Sequence, residues 1–166
     1  MRNQNVVDYL WALRHLRNVF QNSHVQAMLT FVAYRELALM NALTQTLHNA
    51  SCLLCRWHIT KNIFAKQRKA FSTLDAWEEF VQAWNGLVAA TTIVDYESRL
   101  ASMHVAFSVV SIRYLDYTWL VYMEKFVSIF VRNKCHCGHV IKSRVKIVHA
   151  ALKKWISMST GKVVKF

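Results

Sequence analysis

The chain has 166 residues, a length suited to one domain, and 54% of them are hydrophobic, which excludes wholesale disorder. Lys and Arg number 21 against 9 Asp and Glu, a formal charge of +12 that favours polyanionic partners, nucleic acid before anionic membrane. No apolar run reaches the roughly 18 residues a membrane span needs; the best candidate, YTWLVYMEKFVSIFV, is interrupted by Glu124 and Lys125.

Val6 to Gln21 is predicted to be an amphipathic helix, with Leu10, Leu13, Leu16 and Phe20 near one face. Asp8, Arg14 and Arg17 among its apolar residues argue against a secretory leader. An intracellular location with four reduced cysteines is therefore expected, and Asn49-Ala50-Ser51 reads as an accidental glycosylation match. His24 to Ala33 is predicted to be a buried strand, Arg35 to Leu47 a helix, and Ser51 to Trp57 a second short strand. Ile59 to Phe71 is predicted as a helix with Lys61, Lys66, Arg68 and Lys69 outward. Ser72 or Thr73 can cap the next helix, whose first turns carry Asp75, Glu78 and Glu79 and whose apolar face carries Trp77, Phe80, Val81, Trp84 and Leu87. Thr91 or Thr92 caps another, through Tyr96, Leu100, Met103 and Phe107. A third aromatic helix is expected from about Ile112 to Val131, then the loop KCHCGHVIKS, then a last helix from Arg144 to Met158. No repeat or linker interrupts this order. Two strands alone are marginal in water, so either the helices supply nearly all the core or further strands belong to the sheet.

There is no proline, where average usage of about 5% would give roughly eight, and three glycines cannot supply a phosphate-cradling loop. Cys52-x2-Cys55-x2-His58 and Cys135-x-Cys137-x-His139 offer up to four zinc ligands, of which Cys55, His58, Cys135 and Cys137 are the candidate set. Against it, Cys52 and Cys55 on one strand would point to opposite faces. His149 reads as a packed core residue, and the tryptophans at 77, 84, 119 and 155 as core rather than stacking platforms. Two basic clusters are candidate DNA-binding surfaces: Lys61, Lys66, Arg68 and Lys69, and then Lys142, Arg144, Lys146, Lys153, Lys154, Lys162 and Lys165. Either would neutralise phosphates without reading sequence, and either is equally a solvated face.

The words RELALMNAL, LLCRWHITKNI, WEEFVQAWNGLVAATT, YLDYTWLVYMEKFV and SRVKIVHAALKKWISMSTG, in that order, resemble the catalytic domain of Mutator-like (MULE) transposases, especially the fungal kind. The resemblance covers most of Tyr9 to Gly161. It implies an RNase H-like fold with a helical insertion, in which Asp, Asp and Glu hold two divalent metals, magnesium or manganese, to cut and join DNA. The family's second Asp follows a strand and precedes an RELAL-like helix; Tyr34 stands at that position. Its Glu lies on the last helix, where Lys146 stands. Its first Asp lies on a strand that would precede Met1. Cys55 and His58 match the family's C-x2-H element, which implies a structural role at the start of the insertion.

A phenol that ionises near pH 10 is a poor magnesium ligand, and the Lys146 ammonium would oppose the cations. Glu36, some 200° around the helix from Tyr34, is expected on the solvent face or paired with an Arg. The expected fold is therefore mostly α with a small β remnant: an incomplete RNase H-like α/β core at residues 1–58, a helical insertion at 59–132, and a loop and final core helix at 133–166, one domain overall. The expected function is that of a truncated, catalytically inactive MULE-type remnant, not an enzyme and without cofactor. Its partners would be at most nonspecific DNA in the nucleus, with no membrane. The alternatives are a helical protein–protein interaction module, self-associating through an exposed sheet edge, and a zinc-stabilised nucleic-acid-binding domain. A third outcome is a fragment with no stable function. Scarce acids and the ending STGKVVKF also fit mutational drift by transitions, in which case the charge records history; an unbiased spectrum of base changes against an intact copy would exclude that.

Overall fold

Apolar residues at helical spacing build most of this chain, and the computed structural model describes them over residues 6–22 and 30–134. The helix α1 spans Val6–Asn22 and buries Leu13 against α2, Leu37–Thr46. Ala42 and Leu43 of α2 receive it, with Leu10 and Leu16 packed alongside; Ala42 has no exposed surface, and its small side chain suits a close helix approach. Arg17 adds a hydrogen bond from Nη1 to the Thr46 carbonyl at 3.5 Å.

The strand β1, Thr30–Ala33, pairs in parallel with β2, Ser51–Leu54, in the register Thr30 to Ser51 through Ala33 to Leu54. The helix α2 is the crossover between them. The expected second strand, Ser51 to Trp57, is too long by three residues. Cys55 makes one more bond toward the sheet, its N–H donating to the Ala33 carbonyl at 2.8 Å, and then serves as N-cap of α3, Arg56–Gln67. The reason lies downstream: Ile59 and Ile63, four apart, are both buried and need helical spacing to share a face. The expected first strand began at His24; its residues before Thr30 lie outside the described set.

The rest is a helical block. A 3₁₀ turn, Arg68–Ala70, closes α3. The helix α4, Leu74–Ala89, is capped by Thr73, whose Oγ1 accepts from the Ala76 N–H at 3.2 Å. The helix α5, Ile93–Ala106, is capped likewise by Thr92 through Asp95 N–H at 3.1 Å. The helix α6, Val109–Thr118, is capped by Ser108. With proline absent, these hydroxyl caps set helix starts by satisfying free amides. The main core lies here: Trp77, Phe80, Trp84, Leu87, Met103, Leu115, Phe126 and Val127 are buried together, and Leu54 of β2 joins them.

The expected long helix from Ile112 to Val131 is broken. After α6 the chain runs through 3₁₀ geometry, Leu120–Lys125, with Tyr122 outside helical angles, and then the single turn α7, Ser128–Val131. The fold-back buries Phe126 and Val127 almost completely and lets Ile129 N–H donate to the Ala90 carbonyl at 3.0 Å. A straight helix would carry those side chains away from α4.

Candidate functional site

Two regions carry chemistry: the end of β1, and the seam between α3 and α4. At the first, Tyr34 follows the strand directly and keeps 46% of its surface exposed. Its carbonyl accepts from Glu36 N–H at 2.8 Å, a tight bend that turns the chain into α2. Tyr9 of α1 shares a side-chain hydrogen bond with Tyr34. The Tyr9 phenol is pushed up to about 12, first by burial, then by that bond and by the negative charge of Glu36 and Asp8. Glu36 is half-buried, the N-cap residue of α2, and its side chain makes no capping bond. It does not pair with an Arg as expected: the described ion pairs are Arg99 with Asp95 and His104 with Asp116. Arg35 instead donates to the Thr118 carbonyl at 2.8 Å, its guanidinium 5.1 Å from the Trp119 ring centroid.

The ring of His58, in the first turn of α3, lies 6.0 Å from that of Tyr34 and 4.7 Å from that of Trp57. Its buried Nδ1 has no hydrogen-bond partner among the described residues. Burial, then the Lys61 charge, pulls its pKa down, so His58 is neutral at pH 7. Cys55 and His58 thus sit at the N-cap and first turn of α3, where the C-x2-H element joins the small sheet to the helical block. Cys52 packs between the two apolar clusters, and burial raises its thiol pKa. Cys135 and Cys137, half of the four-ligand zinc set, lie outside the described residues.

The donor set can be tested against a divalent metal pair. Such a pair needs several anionic oxygens within about 2–2.5 Å of the ions. All nine acidic residues of the chain fall among the described residues, since 135–166 contain no Asp or Glu. No three His, Cys, Asp or Glu side chains come together there. The end of β1 offers two phenols, an imidazole and the carboxylates of Glu36 and Asp8, which are not gathered into a cluster of three ligands, and this set does not fit two divalent cations.

The first basic cluster is split by its helix. Lys61 and Lys66, five residues apart, differ by about 140° around the axis. Lys61 sits 5.2 Å from the Trp57 ring centroid and Arg68 sits 5.9 Å from that of Trp77. Lys61, Lys66, Arg68 and Lys69 are all exposed. The second cluster, Lys142, Arg144, Lys153 and Lys154 included, lies outside the described residues, as do Lys146, His149 and Trp155. Trp77, Trp84 and Trp119 are core residues, 7%, 1% and 4% exposed.

One feature escaped sequence reasoning: a groove of about 480 Å³ between α3 and α4, walled by Arg56, Trp57, Phe64, Trp84, Asn85 and Phe126 among others. Its signal in sequence is faint, the i, i+3/i+4, i+7 spacing of Trp57, Thr60, Lys61 and Phe64 on one side of α3.

No helix among the described residues is long and apolar enough to cross a membrane. The family model for the MULE transposase domain matches residues 1–62, the stretch from α1 into α3 that contains Tyr34, Cys55 and His58. No curated protein and no solved structure matches the chain.

Proposed function

We propose, from the premise that residues 1–62 are a MULE transposase-like domain segment, that this chain is a transposase-related protein that associates with DNA in the nucleus without cutting it. The observation that carries the reading is the end of β1. Where the family's second Asp is expected stands Tyr34, its hydroxyl engaged with Tyr9, and the two acids whose charge reaches Tyr9, Glu36 and Asp8, belong to no cluster of three metal-binding side chains among the described residues. An RNase H-like ancestry accounts for the order helix, strand, helix, strand followed by a helical block, with α2 as a parallel crossover. Lys146 lies outside the described residues; the resemblance sets it at the position of the family's Glu, where an ammonium could not serve as a metal ligand. The net charge of +12 supplies a sequence-blind attraction to phosphate.

The test is incubation of the purified protein with supercoiled and linear DNA in magnesium or manganese. The expected result is binding that weakens steeply with salt, and neither nicking nor strand transfer. Robust metal-dependent cleavage abolished by Glu36→Ala would refute the reading.

A second reading, a helical interaction module, is favoured by one observation: Val105, Val109 and Val110 are 90%, 71% and 75% exposed around the α5–α6 turn. Exposed apolar residues gathered in one place mark contact surfaces. Light scattering separates the two, since an oligomer insensitive to salt belongs to the second reading and a salt-sensitive DNA complex to the first.

A further inference from the structure

The groove between α3 and α4 is unlike the end of β1 in both charge and shape. Its volume, about 480 Å³, falls within the range of sites that hold small organic ligands. Four aromatic side chains contribute to it. Trp84 and Phe126 are buried in the core, whereas Trp57 and Phe64 keep part of their surface open. The walls contain two cations, Arg56 and Lys61, and no acid.

Arg56 is the telling residue. Its Nε donates to the Phe126 carbonyl at 2.6 Å and its Nη2 to the Ser128 hydroxyl at 3.0 Å. Both acceptors are neutral, and Arg56 is in neither ion pair of the described residues. Burial alone pulls its guanidinium down to about 10, with no opposing charge to hold it up. A half-buried cation without an anion is costly, and a bound anion relieves the cost. Lys61 adds a second positive charge beside the Trp57 ring. Thr60 and Asn85 supply donors and acceptors on the same walls.

These features together select the ligand chemistry. An acidic peptide side chain would satisfy the cations and leave the aromatic walls uncovered. An acyl chain would cover the walls and bury Arg56 and Asn85 against hydrocarbon. A planar heterocycle carrying a phosphate satisfies all of them. We propose that the groove receives one unstacked nucleotide of single-stranded DNA, its base against Trp57 and Phe64 with its edge toward Asn85, and its phosphate toward Lys61 and Arg56. Stacking on aromatic side chains beside a basic track is the general means by which proteins hold unpaired bases. The inference rests on the DNA-binding reading above and adds to it a preference for unpaired strands.

The experiment compares a short single-stranded oligonucleotide, its duplex and a free mononucleotide by fluorescence anisotropy and competition, at low and physiological salt. The variants are Asn85→Ala and Lys61→Gln, both at exposed positions, and Phe64→Leu, which keeps apolar volume and removes the flat ring. Thermal melts show that each variant is folded. Phe64→Leu is expected to weaken single-strand binding by about tenfold, the scale of one lost base stack, and Asn85→Ala by roughly fivefold, the scale of one lost hydrogen bond, while duplex binding stays unchanged. Lys61→Gln is expected to weaken both and to reduce the salt dependence. Equal single-strand binding by wild type, Asn85→Ala and Phe64→Leu would overturn the groove while leaving nonspecific DNA binding intact, and so would parallel losses on single strand and duplex. A mononucleotide that competes for the groove while no single strand does would replace DNA by a free nucleotide as occupant and overturn the proposal as stated. Absence of binding to any DNA at low salt would overturn both this proposal and the reading beneath it.

Discussion

Replacing Tyr34 with Phe removes a single hydroxyl from the end of β1 and tests what that position does. In the wild type Tyr9 shares a hydrogen bond with Tyr34, and its phenol is raised from 10.0 to about 12 by burial first and by this bond second. The folded chain therefore keeps a proton that the unfolded chain releases above pH 10. The stability from this group is fully present below pH 10 and is lost as pH rises through about 12. In Tyr34→Phe the burial of Tyr9 and the charges of Glu36 and Asp8 remain, so the Tyr9 value should fall and stay above 10. At pH 7 the variant should lose about 1 kcal/mol, the usual net worth of one hydrogen bond. Urea denaturation measures the loss, and tyrosinate absorbance measures the titration, with Tyr9→Phe identifying which of the tyrosines moves. A Tyr9 that titrates in the ordinary phenol range, or whose titration ignores Tyr34→Phe, would show that the two hydroxyls are not coupled and that Tyr34 is merely a surface ring.

The remaining expectations concern the frame of the molecule and its metals. Thr73→Ala removes the acceptor for Ala76 N–H and should cost about 1 kcal/mol by chemical denaturation; an unchanged midpoint would mean water caps α4 equally well. Gly86 lies inside α4, and a methyl there would meet only the guanidinium of Arg99, at 2.7 Å, the exposed end of a flexible side chain. Gly86→Ala should therefore stabilise the fold by up to about 1 kcal/mol of helix propensity and raise the melting temperature, and a marked fall would show that Arg99 cannot move aside. Trp84→Ala empties the largest fully buried position among the described residues and should cost about 3–5 kcal/mol, or prevent folding. Thermal melts in chelator and in excess manganese should coincide. A ligand held at a hundred times its Kd stabilises a protein by about 2.7 kcal/mol, so a manganese-dependent rise that disappears in Glu36→Ala would refute the proposal that the chain binds no metal pair.

Sequence reasoning reached what periodicity encodes. Leu13 of α1 and the Trp77–Phe80–Trp84–Leu87 face of α4 stand where their spacing puts them, and of the two candidate hydroxyls at each later helix start the second, Thr73 and Thr92, is the cap. It failed where one apolar stretch admits two periods. Leu53 and Leu54 belong to the strand and Ile59 begins the helical pattern, so the residues between could join either, and tertiary demand for Ile59 and Ile63 decided it. The break after α6 was hidden for a similar reason. Trp119 through Val127 is apolar on nearly every side, so no face told where the helix should stop, and the answer lay in α4, where Phe126 and Val127 pack. The groove was least legible. Each wall is an ordinary amphipathic helix, and the placement of Asn85 opposite Lys61 exists only after α3 and α4 meet.

The two regions are physically opposed, and that opposition is the basis of the functional reading. A cluster of carboxylates without its metals is self-repelling, so under the proposed reading, in which the metal pair is not bound, neutral side chains in their place would be stabilising. Tyr34 and Tyr9 have that form: their hydroxyls share a hydrogen bond, and burial, that bond and the nearby acids keep the Tyr9 phenol protonated to higher pH. The groove has the reverse imbalance, a half-buried guanidinium whose bonded partners are both neutral. Helix packing alone explains the first and not the second, because an apolar side chain at position 56 would cost less to bury. What would compensate Arg56 is an anion from outside the chain. In a strongly basic protein with a transposase-like segment, the proposed occupant is a phosphate of DNA, an anion that the long-range field of a chain of charge +12 would attract.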